Sequence, residues 1–180
     1  MEDLSLHILD IAENSINAGA KNIEIAIIED SSKDLLTIEI KDDGKGMDAD
    51  TIANVTNPFF TTRTTRRVGL GLAFLEEAAN STGGKLRVES ELTTGTKVIA
   101  EFQLSHIDRK PVGNIADTIV MILAGNPEIN LRYYQENNAS KFLFDTNDVK
   151  KITNEIKINS IEILKFIRQY LEENVNKINK

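Results

Sequence analysis

The sequence contains no cysteine in 180 residues, which excludes disulfide bonds, zinc–thiolate sites and cysteine-ligated iron–sulfur clusters. No apolar run reaches the length of a membrane span. The N-terminal residues MEDLSLHILD also lack the basic start and apolar stretch of a signal peptide. A net charge of −7 argues against nonspecific binding to nucleic acid or to an anionic membrane. We therefore expect a soluble, cytoplasmic protein that binds neither nucleic acid nor membranes.

Hydrophobic periodicity predicts alternating helices and strands. Apolar residues at helical spacing predict helices over residues 4–18, 49–55, 70–80 and 112–123, and from residue 160 toward the C-terminus. Alternating apolar residues predict strands around residues 23–27, 36–40, 86–88 and 98–104, with two shorter strands at 130–135 and 141–144. The length is sufficient for one well-buried core, with or without an appendage.

The first predicted helix carries a polar stripe formed by Asp10, Asn14 and Asn17 at spacings of four and three residues. The apolar face opposite is formed by Leu4, Ile8, Ile11, Ala12 and Ser15. The Asn14 amide oxygen suits Mg²⁺, and the Asp10 carboxylate suits a group that orients water or accepts a proton. A solvated helix face would show the same pattern. We expect His7, next to this stripe, to lie on the helix surface.

The motif DDGKGMD at residues 42–48 directly follows an alternating strand. Asp42 continues the parity of the apolar residues, so its side chain is expected to point toward the helix-covered face. Thr96 has the same parity on another strand. An EF-hand is excluded because the ligand spacing and the terminal glutamate are missing. A plain turn and a site that reads an adenine base are both compatible, the latter with Gly44 and Gly46 letting the backbone lie against the ring.

The motif VGLGL at residues 68–72 opens the helix predicted from residue 70. It is not a dinucleotide fingerprint, because Phe74 occupies the place of the third glycine, and the sequence has no P-loop. Gly69 and Gly71 free the backbone at a helix start, where exposed amides suit phosphate. Three upstream arginines add positive charge: Arg63, Arg66 and Arg67. A flexible surface loop is the alternative.

Taken together and in this order, these motifs resemble the GHKL (Bergerat-fold) ATPase superfamily. Its members include gyrase-type topoisomerases, the heat-shock chaperone ATPase, mismatch-repair ATPases, sensor histidine kinases and anti-sigma-factor serine kinases. Residues 9–20 resemble the N-box, residues 42–47 the first glycine box and residues 69–71 the second. The phenylalanine box and lid of histidine kinases are similar to VTNPFFTTR at residues 55–63, and the closing strands to residues 83–98.

The resemblance implies an α/β two-layer sandwich, with helices on one face of a mixed, mostly antiparallel sheet. It implies ATP and Mg²⁺ as ligands, with Asn14 binding the metal, Asp42 accepting from adenine and Asp10 in the catalytic position. It implies a mobile lid at residues 57–68. The nucleotide-binding residues that it implies are Asn14, Asn17, Asp42, Gly44, Gly46, Met47, Phe60, Thr61, Thr62, Arg63, Val68, Gly69, Leu70, Gly71, Leu72 and Thr96.

Two positions depart from the family pattern. The catalytic glutamate is replaced by Asp10, one methylene shorter, and Thr56 stands where the phenylalanine box usually begins. The N-box also begins almost at Met1, so we expect no upstream dimerisation helix with a phosphoacceptor histidine. We therefore expect any phosphoacceptor to be on another protein.

The predicted organisation is an ATP-binding domain at residues 1–106 and a small α/β extension at 107–180, for packing or for binding a partner. Its terminal apolar stripe favours packing within the chain over a homodimer seam. The predicted function is a stand-alone ATP-binding module of histidine-kinase or anti-sigma-kinase type, which regulates or phosphorylates a protein partner. The alternatives are a non-catalytic ATP/ADP sensor that switches its lid, and an ATP-gated dimer of mismatch-repair type.

Overall fold

The computed structural model describes residues 3–57, 70–153 and 156–178. The helices are α1 (Leu4–Asn17), α2 (Ala49–Asn54), α3 (Leu70–Asn80), α4 (Ile115–Gly125), α5 (Thr146–Thr153) and α6 (Ile161–Ile178). The strands are β1 (Asn22–Asp30), β2 (Leu35–Asp42), β3 (Lys85–Glu91), β4 (Gly95–Gln103), β5 (Asn130–Glu136) and β6 (Lys141–Asp145). Periodicity did not predict α5. None of the described helices is long and apolar enough to cross a membrane.

The strands form one sheet in the order β3-β4-β2-β1-β5-β6. Every neighbouring pair is antiparallel except β1 and β5, which run parallel. Alternation along β1 buries Ile23, Ile25 and Ile27 on the face that the helices cover, as period-two patterning requires. The predicted fold class, a mixed and mostly antiparallel sheet with helices on one face, is confirmed.

The C-terminal residues share this sheet and its core. β5 lies beside β1, and α4 packs between α1 and α6. Leu131, Ile167 and Leu171 are fully buried in the same cluster as Ile8 and Ile25. Most of the terminal apolar stripe is thus used for packing within the chain. The division into domains at residues 1–106 and 107–180 stays a prediction.

The start of α1 is held in place by the segment that precedes α4. The amides of Leu4 and Ser5 donate to the carbonyls of Pro111 (2.9 Å) and Val112 (2.7 Å). These amides belong to the first turn, which has no acceptors within its own helix. Gly113 has a φ of +83°, and a Cβ atom there would lie 2.5 Å from the Asp3 carboxyl carbon. The connector therefore fixes the helix that carries the predicted polar stripe.

His7 is buried, with 1% of its surface exposed, so the expectation of a surface histidine was wrong. Neither ring nitrogen has a hydrogen-bond partner in the part of the chain that the structure describes. Burial lowers the pKa of His7 from 6.5 to about 4; the charge of Lys110 acts in the same direction and that of Asp3 against it. The periodicity of α1 alone could not predict this burial, because the connector that covers the first turn of the helix is distant in sequence.

This histidine predicts a loss of stability in weakly acidic solution. Its pKa is lower in the folded state, so the unfolded chain binds more protons below pH 6.5. The free energy of unfolding should fall by about 3 kcal/mol as the pH drops from about 6.5 to about 4, and then level off. Denaturant titrations of the wild type and of His7→Leu test this, since the variant should lose that part of the pH dependence. An identical pH dependence in both proteins would contradict it.

Candidate functional site

Asp42 is a buried carboxylate at the end of β2, with 8% of its surface exposed. Ser15 of α1 donates from Oγ to Asp42 Oδ2 at 2.6 Å, and the Gly44 amide donates to Asp42 Oδ1 at 2.8 Å. These two contacts fix the carboxylate from both sides. A carboxylate can accept about four hydrogen bonds, so Asp42 retains acceptor capacity for a ligand. Parity correctly predicted its direction, but Ser15 was read only as a member of the apolar face.

The glycines of the first glycine box pack against the protein itself. A Cβ atom on Gly44 would lie 2.9 Å from Asp42 Oδ1 and 3.0 Å from the Cβ of Ala18. Gly46 has a φ of +67°, and a Cβ atom there would lie 1.9 Å from the carbonyl oxygen of Glu91. The close approach between this turn and the β3–β4 hairpin therefore requires glycine at position 46. Contact of either glycine with a base stays a prediction.

Thr96 lies directly opposite Asp42 in the β2–β4 register. Its hydroxyl is 2.9 Å from the hydroxyl of Ser90, which sequence reasoning did not single out. Ser90 donates its one proton to the Gly95 carbonyl at 2.8 Å and accepts the Met47 amide at 2.9 Å. The proton between the two hydroxyls must then come from Thr96. Thr96 therefore presents only lone pairs to a ligand, as Asp42 does.

The polar stripe of α1 divides into two parts. Asn17 is exposed, and its Nδ2 donates to the Glu13 carbonyl at 2.7 Å. Asp10 and Asn14 are half-buried. The Asp10 carboxylate lies against the first turn of α3, because a Cβ atom on Gly71 would be 1.6 Å from Asp10 Oδ2. An alanine at position 71 would displace that carboxylate.

α1 therefore connects two ends of one candidate site. Asp10 lies at the start of α3, where a negative charge is favoured by the helix dipole. Ser15, little more than one turn further along α1, contacts the adenine-reading candidate Asp42. Asn14 lies between them on the same helix. Leu72, the last residue of the VGLGL motif, is partly buried against the core.

Several predicted nucleotide contacts lie outside the described residues. They are Phe60, Thr61, Thr62, Arg63, Val68 and Gly69, together with most of the predicted lid at residues 57–68. Leu70 begins α3, but its side chain is also outside the description. The candidate site therefore rests on α1, the end of β2, β4 and the start of α3.

A helix that carries an acid and an amide beside a buried, strand-terminal aspartate is the arrangement that the N-box and first glycine box predicted. The family model of histidine kinase-, DNA gyrase B- and HSP90-like ATPases matches residues 2–106. The chain belongs to this family. The predicted resemblance to ATPases of the GHKL superfamily is therefore confirmed. The matched region contains all of the described site residues.

Curated proteins similar to this chain include sensor kinases. The sensor histidine kinase YvrG of Bacillus subtilis is 32% identical over 94 residues, which cover 50% of this chain and 16% of that protein. The C4-dicarboxylate transport sensor protein DctB of Pseudomonas aeruginosa is 38% identical over 64 residues, covering 35% of this chain and 10% of that protein. The chain thus spans a small part of the length of these relatives.

Two solved structures illustrate the shared fold. The Aquifex aeolicus MutL ATPase domain complexed with ADP gives a TM-score of 0.52 at 17% identity, covering 79% of this chain and 64% of that one. The N-terminal domain of a DNA repair protein gives 0.53 at 19%, covering 79% and 52%. Coverage of this extent reaches past residue 106, so the shared fold includes part of the C-terminal segment.

Proposed function

We propose that the chain is a Mg-ATP-binding module of the histidine-kinase or anti-sigma-kinase type, which regulates or phosphorylates a protein partner. The proposal places it in the cytoplasm, where Mg-ATP is abundant, and assigns it neither nucleic acid nor membrane as a partner. The observation that carries it is the buried Asp42 carboxylate, fixed by Ser15 and Gly44 next to Thr96.

The adenine end of the candidate site, formed by Asp42 and Thr96, fits ATP because both side chains offer only hydrogen-bond acceptors. Asp42 is a carboxylate, and the Thr96 proton is directed to Ser90. Adenine carries an exocyclic amino group that donates, whereas guanine carries a carbonyl oxygen at the corresponding position. Two acceptors side by side favour the amino group and repel the carbonyl. In this proposal Asp42 accepts from the adenine amino group.

The phosphate end of the candidate site, formed by Asp10 and Asn14, fits Mg-ATP through the ligands that Mg²⁺ prefers. No group of three or more acidic or histidine side chains that would hold a metal ion occurs among the described residues. A Mg²⁺ here would therefore take Asn14 as a protein ligand and complete its shell with phosphate and water oxygens, as Mg²⁺ commonly does. Bound ATP would supply the transferable phosphoryl group. Asp10 would orient a water molecule or hold a proton beside it.

A second candidate function, a nucleotide sensor with little or no turnover, is favoured by the position of Asp10. The carboxylate is one methylene shorter than the usual glutamate, and it lies against the α3 backbone at Gly71. In that position it interacts favourably with the helix terminus. A carboxylate held against the helix is a poor group for activating water, which favours a sensor with little or no turnover.

Replacing Asn14 with alanine should remove the Mg²⁺ dependence of ATP binding and leave the fold intact, because the side chain is not part of the apolar core. We expect the affinity for ATP with Mg²⁺ to fall at least about tenfold, close to the affinity without metal. Isothermal titration with and without Mg²⁺ measures both.

Glu13→Gln is the matched control, since Glu13 is exposed on the same helix and is not among the predicted nucleotide contacts. Its ATP affinity should equal that of the wild type. An unchanged affinity of Asn14→Ala for Mg-ATP would exclude Asn14 as the metal ligand.

A further inference from the structure

The two edges of the sheet have different chemistry. On the β3 edge the exposed side chains are charged, and Lys85 and Arg87 both pair with Glu101 of β4, at 3.3 and 2.6 Å. Charged side chains are a common means of preventing edge strands from pairing with other chains. On the β6 edge, only Phe142, Leu143 and Phe144 lie between the end residues of the strand. This edge carries no proline and no central charge.

An aromatic cluster continues from β6 onto α6. The Tyr170 ring lies 5.7 Å from Phe142 and 6.4 Å from Phe144, and it stacks on Phe166 at 6.1 Å, all measured between ring centroids. Phe166 is 59% exposed, Tyr170 is 40% exposed, and Leu143 on the opposite face of the strand is 55% exposed. We call these five residues the β6 edge cluster; Phe144 lies at its base and is buried, with 3% of its surface exposed. An exposed apolar surface along a free strand edge is typical of an interaction site.

The charges at the two ends of β6 are complementary to those of a second copy of the same strand. The strand reads Lys141, Phe142, Leu143, Phe144, Asp145. Antiparallel pairing of two copies centred on Leu143 would place Lys141 opposite Asp145 of the other copy twice, and Phe142 opposite Phe144. Lys141, Leu143 and Asp145 share one face of the sheet, so each opposed pair lies on the same side. In this pairing the opposed residues have opposite charges or similar sizes, and they lie on the same face of the sheet. The strand is therefore complementary to a second copy of itself.

We propose that a second copy of this chain docks on the β6 edge cluster, and that the two six-stranded sheets join through antiparallel β6 strands about a two-fold axis at Leu143. An isologous contact requires one surface patch that matches itself, and this strand has that property. The strand pairing supplies backbone hydrogen bonds, and the exposed rings of α6 extend the contact on the helix side. Asp145 already binds Arg132 at 3.3 Å through Oδ2 and accepts the Asn147 amide at Oδ1, and its remaining acceptor capacity would bind Lys141 of the other copy.

The first test is the mass of the purified chain in solution as a function of concentration, by sedimentation equilibrium. The wild type should be a dimer at micromolar concentrations. Leu143→Glu places two like charges at the axis and should raise the dimer dissociation constant at least about tenfold. Leu92→Glu is the matched control, since Leu92 is 56% exposed in the β3–β4 hairpin, and it should behave as the wild type. A wild type that stays monomeric up to about 100 μM overturns the proposal.

A charge exchange tests the register. Lys141→Asp and Asp145→Lys should each dimerise less well than the wild type, because like charges then face each other at both ends. An equimolar mixture of the two variants restores both attractive pairs and should form mixed dimers. Thermal unfolding of each variant checks that Asp145→Lys, which also loses its contact with Arg132, remains folded. If both variants are folded and the mixture associates no better than either variant alone, the proposed register is wrong.

Discussion

Replacing Asp42 with asparagine is expected to weaken ATP binding about ten- to hundredfold, the range for losing a hydrogen bond to a charged group. Three donors would meet at this carboxylate: the Ser15 hydroxyl, the Gly44 amide and the adenine amino group. An amide has one oxygen, so its NH₂ group must face at least one of these donors. Isothermal titration with ATP and GTP measures the loss. The ATP-over-GTP preference should shrink in the variant.

Ser15→Ala separates recognition of the base from positioning of the carboxylate. It keeps the charge of Asp42 but removes the 2.6 Å hydrogen bond that holds it, so we expect a smaller loss, about fivefold. Thermal unfolding of both variants shows whether either effect reflects a damaged fold. Equal affinity of the wild type for GTP and ATP would show that Asp42 does not read the base.

The positions of the two adenine-reading candidates, Asp42 and Thr96, could be predicted from the alternation along their strands. Period-two alternation placed Asp42 and Thr96 on the same face, and the β2–β4 register places them opposite each other. Ser15 and Ser90 could not be found in this way, because their hydrogen bonds join residues that periodicity does not relate. Ser15 is 27 positions from Asp42 in the chain. The signal available for Ser15 was a hydroxyl on the apolar face of α1, because a buried hydroxyl requires a hydrogen-bond partner.

The C-terminal segment shows what local pattern does not determine. Its helices and strands were predicted except for α5, whose eight residues include two lysines and one buried side chain, Thr146. That hydroxyl accepts the Leu131 amide at 2.9 Å, a contact between elements with no periodic signature. The parallel pairing of β5 with β1 also depends on how α4 packs over α1. Partner choice between strands distant in sequence is a property of the whole core.

The isolated chain is expected to hydrolyse ATP slowly and to leave its own histidines unlabelled. Asp10 is shorter than glutamate, so its oxygens would lie about 1.5 Å from where a glutamate would hold the water, and such a displacement can lower the rate on the order of a hundredfold. The Asp10 carboxylate also lies against the α3 backbone at Gly71. His7 is 1% exposed and has no route to a phosphoryl group in this conformation. His106 lies in the connector after β4, where its ring accepts the Asp108 amide.

Radiolabelled ATP with the wild type and two variants of Asp10 tests this reading of the site. Asp10→Glu restores the missing methylene and should raise turnover on the order of a hundredfold, whereas Asp10→Asn should abolish the residual rate. Both variants keep Asp42 and Ser15, so their adenine affinity should stay within about twofold of the wild type. The acid and base stability of any labelled protein identifies a phosphohistidine. Rapid turnover by the wild type, or label on His7 or His106, would make the chain a self-contained enzyme and remove the need for an acceptor on a partner.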